Sequence, residues 1–521
     1  MGILTGILFE GDLYMAVKKE NIRRAGVLLP VSSLPSPYGI GTFGKAAYDW
    51  IDYLKASGQS LWQILPLGPT GYGDSPYQSF STFAGNPYFI DLEKLMEEGL
   101  IKRSECNALD WGGSERYVDY EKMFVSRFAM LKKAYQRAVK AGLLKDEAYL
   151  SFCRKNKSWL DDYSLYMALK NHFGGKSYLL WDDDIRLREK KALEKYAKLL
   201  ASDIDFYRFQ QFEFSKQWKA LKKYANDNGI MIVGDIPIYV APDGADTWSD
   251  PKLFQLDEKG YPIAVAGCPP DQFTADGQLW GNPLYDWDYH KKTGYKWWMK
   301  RLKACFDMYD IVRIDHFRGF YSYWSVPYGD KNARGGKWIK GPGLDLFNVM
   351  KEKLGDRPVI AEDLGFLTDG VIRMVEKTGY PGMKVLQFGF DPSGNSEHTP
   401  HTFRRNFVVY TGTHDNDTIL HWSLNCDRKI AKYAMKYTGV KKRSELPDAL
   451  IRACYASVAD TCIIPLQDYL GLDNEARINT PSTLGDNWKW RSTYSDWTVK
   501  LSKRMNKLVK LYGRYGAAAP R

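Results

Sequence analysis

Eight short apolar runs, each typical of a buried strand, are spread along this chain and separated by longer helical or polar segments. They are centred near residues 27, 62, 232, 311, 359, 385, 408 and 463. Parallel strands need a crossover of a dozen or more residues between them, and that crossover is usually a helix. The pattern therefore predicts an α/β fold, a (β/α)8 TIM barrel, whose C-terminal strand ends share one mouth.

The chain has 521 residues, which leaves room for large insertions in a barrel of ~250 residues. We predict a leader at 1–23 and a single catalytic barrel over 24–521. Residues 93–228 are expected to form a mostly helical insertion, because apolar residues such as Phe124, Phe128 and Leu131 recur there at helical spacing. Residues 241–287 are rich in Gly, Pro, Asp and Trp, and we expect a lid loop over the mouth.

Composition excludes several classes of protein. The net charge is +11, but Lys and Arg form only short clusters among acidic residues, which argues against a nucleic-acid partner. No apolar run approaches ~18 residues, so no membrane span is expected. The seven cysteines are an odd number without a CxxC pair, which argues against a disulfide framework or a zinc knuckle. These features favour the cytoplasm, and an organelle such as a plastid stays open.

Three of the strand-like runs lead into carboxylates. The runs near 311, 359 and 408 are followed by Asp315, Glu362 and Asp415. Because strand ends meet at one mouth of a barrel, we expect these three carboxylates to form one site. The same reasoning places four more polar residues there: Asp235, Arg313, His316 and His414.

The surroundings of the carboxylates suggest different roles. Arg313 lies two residues before Asp315, on the same side of the strand, and an adjacent guanidinium favours an ionised nucleophile. Glu362 follows an apolar strand, so burial would raise its pKa, as a general acid requires. Asp415 could hold sugar hydroxyls in the transition state, with His316 and His414 as further donors. Together they meet the requirements for cleaving a glycosidic bond with retention.

The same acidic residues are compatible with two alternatives. Asp, Glu and His at strand ends also form two-metal hydrolase sites, although HxH and HExxH motifs are absent. Alternatively, the acids form buried structural ion pairs. Three separate strands ending in acids argue against this interpretation, because unpaired buried carboxylates are energetically costly. The aromatic content of 15% suits either a large core or a surface for sugar rings.

Seven longer motifs carry a family resemblance. In order they are LPLGPTGYGDSPYQSFSTFAGNPY (65–88), VGDIPIYV (233–240), AGCPPDQF…GQLWGNPLY (266–285), VRIDHFRGF (312–320), IAEDLG (360–365), PGMKVLQF (381–388) and YTGTHDN (410–416). From about residue 26 to 490, the chain resembles the 4-α-glucanotransferases of glycoside hydrolase family 77.

The resemblance implies transfer of a segment of an α-1,4-glucan to the 4-hydroxyl of another glucan or of glucose. Asp315 would be the nucleophile, Glu362 the acid/base and Asp415 the transition-state stabiliser, while Arg313, His316 and His414 would line the donor side. Five further residues would contact sugar rings, the middle three from the lid: Tyr77, Asp271, Gln278, Trp280 and Asn487. No metal or other cofactor is implied, and the expected state is a monomer or homodimer.

Two alternatives to a transferase share these residues. An α-1,4-glucan hydrolase would use the same carboxylates with water as the acceptor, and it would release new reducing ends. A non-catalytic glucan-binding protein would keep the aromatic residues without needing all three acids. Residues 479–485 depart locally from the family pattern.

Overall fold

The structure is a computed structural model that describes residues 22–71, 73–270, 275–365 and 367–516. Of the leader predicted at 1–23, positions 1–21 lie outside this described part. The strands are β1 (Arg24–Leu28), β2 (Leu61–Gln63), β3 (Met231–Pro237), β4 (Ala264–Cys268), β5 (Gln278–Pro283), β6 (Ile311–Asp315), β7 (Ser322–Pro327), β8 (Lys337–Lys340), β9 (Val359–Ala361), β10 (Gly382–Val385), β11 (Phe407–Tyr410) and β12 (Thr461–Pro465).

The helices surround these strands or insert between them. They are α1 (Lys45–Ala56), α2 (Leu92–Glu97), α3 (Arg103–Asn107), α4 (Tyr120–Lys140), α5 (Glu147–His172), α6 (Asp183–Arg186), α7 (Lys190–Leu199), α8 (Ala201–Asp227), α9 (Ala245–Ser249), α10 (Trp287–Lys292), α11 (Lys296–Met308), α12 (Leu344–Leu354), α13 (Asp369–Thr378), α14 (Ile419–Asn425), α15 (Arg428–Thr438), α16 (Leu446–Ala456), α17 (Leu466–Leu470) and α18 (Val499–Leu511). None of the described helices is long and apolar enough to cross a membrane.

Eight parallel strands form the central sheet, in the order β10–β11–β12–β1–β2–β3–β6–β9. The Ala361 amide donates to the Pro381 carbonyl at 2.9 Å, which brings the two end strands β9 and β10 together. The (β/α)8 barrel is therefore confirmed, and its eight strands coincide with the eight predicted runs. Antiparallel neighbours would have allowed short turns, whereas these parallel strands are joined by longer segments, most of which contain helices.

The barrel interior is a packed core of alternate strand residues. It contains buried aliphatic side chains from most of the barrel strands: Leu28, Leu61, Val233, Ile360, Met383, Val385, Val408 and Ile463. Residues between them along the strands, such as Val27 and Val312, belong to the larger core shared with the helices. This alternation places Arg313, the neighbour of Val312, on the interior side, close to the mouth.

Helices α2–α8 lie between β2 and β3 in the sequence, and the last of them covers the barrel wall. The Trp218 indole on α8 donates to the Met308 carbonyl at 3.1 Å, next to β6. On α4, Leu131 is fully buried, whereas Phe124 at the start of the predicted apolar stripe is 52% exposed. The stripe thus begins to face the core one turn later than its spacing suggests.

The segment predicted as a lid loop, residues 241–287, contains regular structure. It carries α9 and the strands β4 and β5, which join β7 and β8 in an antiparallel sheet ordered β5–β4–β7–β8. We call this four-stranded unit the lid sheet. Its central pairing joins β4 to β7, about 60 residues apart, with Ala266 opposite Ser325. Such long-range pairing is set by tertiary structure, and composition indicated only a loop.

Candidate active site

Arg313 links two carboxylates at the mouth of the barrel. Asp235 on β3 lies directly opposite Arg313 on the neighbouring β6. One guanidinium nitrogen of Arg313 lies 2.6 and 2.8 Å from the two oxygens of Asp235, and the other donates to Asp315 at 2.9 Å. Asp235 is fully buried and Arg313 is 3% exposed, while 31% of the Asp315 side chain is exposed. Asp235 thus anchors the arginine, and the arginine presents Asp315 to the mouth.

The protonation of Asp315 reflects two opposing effects. Burial raises the pKa of Asp315 above its usual value, and the nearby Asp235 and Asp415 carboxylates act in the same direction. Arg313 lowers this pKa, as the sequence predicted, but does not outweigh the burial. That Asp315 is ionised stays a prediction, and burial, which the sequence did not reveal, opposes the effect of Arg313.

Glu362 follows β9 and is held by backbone amides. Its carboxylate accepts from the His316 amide at 2.7 Å and from the Leu364 amide at 3.0 Å. His316 adopts the left-handed conformation, with φ of 53°, a strained state for a residue with a side chain and one that recurs at functional sites. Burial and then the Asp315 charge raise the pKa of Glu362 to about 8, although the amides and Arg313 oppose the shift. Glu362 therefore carries a proton at neutral pH.

His414 connects Asp415 to the Asp235–Arg313 pair. The Tyr77 hydroxyl donates to Asp235 at 2.8 Å, so its oxygen is left to accept from Nε2 of His414 at 2.9 Å. The same nitrogen lies 3.2 Å from Asp415, and the Tyr77 and His414 rings stack at 5.3 Å. Burial lowers the pKa of His414, but the Asp415 carboxylate more than compensates and the net shift is upward.

Asp415 is held in its ionised form. The Asn479 side-chain amide donates to one of its oxygens at 2.7 Å, and His414 faces the other. Burial alone would raise the pKa of Asp415, but the charge and hydrogen bond of His414 and the hydrogen bond of Asn479 hold it at about 2. The mouth thus contains one protonated carboxyl, Glu362, beside one that stays ionised.

The lid sheet brings an aromatic side chain onto this group. The Trp280 ring lies edge-on to the His316 ring, with centroids 4.8 Å apart, and its indole donates to Gln278 at 3.0 Å. Burial, and then Arg318, lower the pKa of His316 to about 3, so its imidazole is neutral. Among the described residues, Nε2 of His316 has no hydrogen-bond partner. This nitrogen is buried and keeps an unused hydrogen-bonding capacity next to the lid sheet.

Of the predicted sugar contacts, Asn487 is the one whose side chain hydrogen-bonds within its own loop. Asp271 lies outside the described residues. The Asn487 side chain accepts from the Thr480 amide at 2.9 Å and donates to the Thr483 carbonyl at 3.0 Å, so it closes its own loop. Its neighbour Trp488 packs beside His414 instead, with ring centroids 6.0 Å apart.

Sequence reasoning missed several supporting residues. Asn479 and Arg477 contact Asp415 from a loop that follows β12, and Trp488 packs on His414 and Tyr77. The only signal in the sequence was the run of polar and aromatic residues at 485–490, which includes Trp488. In the described ranges, no group of three or more His, Cys, Asp or Glu side chains is arranged to hold a metal ion.

The chain is similar over most of its length to known proteins of one family. The model of the 4-alpha-glucanotransferase family, glycoside hydrolase family 77, matches residues 29–496. The 4-alpha-glucanotransferase of Clostridium butyricum is 48% identical over 93% of this chain and 99% of its own length. That of Thermus thermophilus is 44% identical over 90% of this chain and 94% of its own.

A solved structure extends the likeness to three dimensions. The amylomaltase of Streptococcus agalactiae, solved in complex with acarbose, superposes with a TM-score of 0.91 at 42% identity, over 94% of this chain and 99% of that one. The family match spans most of the chain. It includes seven of the eight barrel strands, and the remaining one, β1, ends one residue before the match begins. The chain therefore belongs to the 4-alpha-glucanotransferases of glycoside hydrolase family 77, enzymes that act on α-1,4-glucans.

Proposed function

We propose that Asp315 is the nucleophile of the glucanotransferase reaction, Glu362 its acid/base and Asp415 the group that holds the sugar in the transition state. The observation that carries this assignment is the difference between their environments. Asp315 accepts from Arg313, Glu362 has a pKa of about 8, and Asp415 has a pKa of about 2. A carboxyl that keeps its proton beside a second carboxylate that accepts from a guanidinium is what acid/base and nucleophilic roles require.

The first half of the reaction uses the proton on Glu362. Asp315 attacks the anomeric carbon of a bound α-1,4-glucan while Glu362 gives its proton to the leaving glycosidic oxygen. The leaving chain departs and the remaining glucosyl segment is esterified to Asp315. Arg313 keeps its hold on Asp235 during this step and so keeps the nucleophile in place.

The second half needs Glu362 as a base, and the structure offers a reason why it can switch. The Asp315 charge is the largest electrostatic cause of the raised pKa of Glu362. That charge disappears when Asp315 forms the ester, so the pKa of Glu362 falls. Glu362 then accepts the proton of an acceptor 4-hydroxyl as that oxygen displaces Asp315, and the α-configuration is retained.

Substrate binding is assigned to the groups around the carboxylates. Among the described residues, neither Nε2 of His316 nor Nδ1 of His414 has a hydrogen-bond partner. Tyr77, Gln278 and Trp280 complete the proposed sugar-binding surface, and we propose that acarbose, the ligand of the Streptococcus agalactiae relative, also binds here. Glucose as an acceptor, a monomeric or homodimeric state and the cytoplasm stay predictions.

Incubation with maltotriose tests the proposed reaction. We expect glucose and a ladder of longer maltodextrins, with the total number of reducing ends unchanged, because each transfer consumes as many ends as it frees. Chromatography by chain length and a parallel titration of reducing ends make the measurement. A rise in reducing ends with only shorter products would show water as the main acceptor and overturn the assignment.

The lid residue Trp280 is proposed to keep water from the glycosyl ester. In the variant Trp280→Ala we expect the ratio of hydrolysis to transfer to rise about tenfold, equivalent to ~1.4 kcal/mol of lost discrimination. The same maltotriose assay measures it. Tyr328→Ala is the control, since Tyr328 follows β7 of the lid sheet and is 50% exposed. An unchanged ratio in Trp280→Ala would remove Trp280 from this role.

A further inference from the structure

The loop that carries His414 and Asp415 leaves the barrel between β11 and α14. We call residues 411–418 the Asp415 loop. Its internal support is local: the Asn416 side chain accepts from the amide and hydroxyl of Thr413, and the Thr413 hydroxyl accepts from the Asp415 amide. These contacts shape the turn, but they do not attach it to the rest of the barrel.

The carboxylate on this loop is in an unfavourable electrostatic position. Asp415 lies close enough to Asp315 that its charge raises the pKa of Asp315, so the two groups repel each other. An unanchored loop would relax by moving Asp415 away from the other carboxylates. A defined position for Asp415 therefore needs contacts from outside the loop.

Gln387 donates its side-chain amide to the Asp417 carbonyl at 2.7 Å and Tyr77 contacts His414, and one segment after β12 supplies further contacts. The Asp468 carboxylate accepts from the Thr411 hydroxyl and from the Ile419 amide, one at each end of the Asp415 loop. Asn474 accepts from the Thr418 amide at 3.1 Å and donates to Asp417 at 2.7 Å.

Arg477 makes the contacts closest to Asp415 itself. Its Nη2 donates to the Asp415 carbonyl at 2.7 Å, its Nη1 donates to the Asp417 carboxylate, and its Nε donates to the Asn479 carbonyl at 2.8 Å. Asn479 in turn donates its backbone amide to the His414 carbonyl at 3.0 Å and its side chain to the Asp415 carboxylate. One planar guanidinium thus fixes both the backbone of Asp415 and the residue that hydrogen-bonds its carboxylate.

From this geometry we infer that Arg477 is a positioning residue for the transfer reaction, acting through the placement of Asp415. The inference rests on the proposed role of Asp415. Arg477 does not touch the reacting atoms in this scheme. Its three donors point at fixed angles to three acceptors, which a lysine ammonium on a flexible stem cannot reproduce. A displacement of about 1 Å in a catalytic group is enough to cost ~100-fold in rate.

The expected result for Arg477→Met is a fall in kcat of roughly 10- to 100-fold, with KM changed by no more than about threefold. The kcat of Arg477→Lys should lie between that of the Met variant and that of the parent enzyme. Arg116→Met is the matched control, because Arg116 also pairs through both terminal nitrogens with an aspartate, Asp496, and is partly buried, but does not touch the Asp415 loop. It should leave kcat unchanged, and thermal unfolding of both variants measures the loss of stability.

A double-mutant cycle separates positioning from general destabilisation. Arg477→Met is combined with Asp415→Asn, and turnover is measured with an α-maltosyl fluoride donor so that weak activity stays detectable. If Arg477 acts through Asp415, the Arg477→Met substitution should lower turnover little further in the Asp415→Asn background. If the two defects are unrelated, the fold-losses in turnover of the two single variants should multiply. The combination of Arg116→Met with Asp415→Asn serves as the additive reference.

The outcomes distinguish this inference from the proposed function. Full activity of Asp415→Asn would overturn the proposed role of Asp415. A large loss in Asp415→Asn together with an unchanged kcat in Arg477→Met would overturn only the inference. Multiplicative losses in the double variant would likewise contradict it, because they would show that Arg477 acts independently of Asp415.

Discussion

Replacing Asp315 by Asn is expected to lower kcat at least ~10⁴-fold with any donor, because the amide cannot form the glycosyl ester on which both half-reactions depend. The substitution changes little else in shape. It does remove one of the two negative charges that Arg313 contacts, but Asp235 keeps that guanidinium in place through both of its oxygens. The loss should therefore appear in kcat while glucan binding persists.

A trapping experiment makes this prediction specific to the proposed residue. A slowly turned-over fluorinated glucosyl fluoride should label the parent enzyme, and peptide mass spectrometry should locate the label on Asp315. The Asn variant should bind acarbose and take up no label. Asp345→Asn is the control, since Asp345 on α12 is 53% exposed and pairs with Lys291 on the surface. Activity of Asp315→Asn within about tenfold of the parent, or a label on another carboxylate, would refute the assignment.

The strands of the barrel were predictable because their signal is local. Each barrel strand is a short apolar run, and burial on both faces makes such runs continuous instead of alternating. Asp315, Glu362 and Asp415 were predictable for the same reason, since each follows one of these runs directly or after a short turn. The rule that strand ends share one mouth then supplies their proximity without any coordinates.

The remaining features of the site depend on contacts between distant parts of the chain. Arg477 reaches the Asp415 carbonyl across 62 residues of sequence, and no local pattern marks it. The lid sheet could not be predicted for the same reason. Its strands β4 and β7 pair directly, but in the sequence the barrel strand β6 lies between them. The direction of the Asp315 pKa shift follows from burial, which is a property of the folded mouth.

The environment of Glu362 also accounts for the use of one side chain as both acid and base. With Asp315 ionised, the pKa of Glu362 is raised to about 8, so the carboxyl is protonated at neutral pH and ready to donate. Above pH ~8 this proton is lost and the first half-reaction fails. We therefore expect kcat/KM for maltotriose to fall on the alkaline side with an apparent pKa near 8.

The variant Glu362→Gln removes this titration together with the catalysis. With maltotriose we expect a loss of ~10²- to 10⁴-fold, the usual contribution of general acid/base catalysis, and the alkaline limb near pH 8 should disappear. A donor with a good leaving group, α-maltosyl fluoride, should restore formation of the glycosyl ester because no proton has to be donated. The ester should then accumulate, since no base is left to activate the acceptor.

Azide distinguishes this role from any other, because it attacks the ester as an anion and needs no base. Azide should restore turnover of the fluoride donor by Glu362→Gln and yield a maltosyl azide with the α-configuration of the substrate, which chromatography and NMR identify. Asp415→Asn is the matched control and should gain nothing from azide, since its defect lies in holding the sugar. Failure of azide to restore Glu362→Gln, or retention of the alkaline limb in that variant, would transfer the acid/base role to another group. Rescue of both variants would show instead that azide bypasses a step common to them.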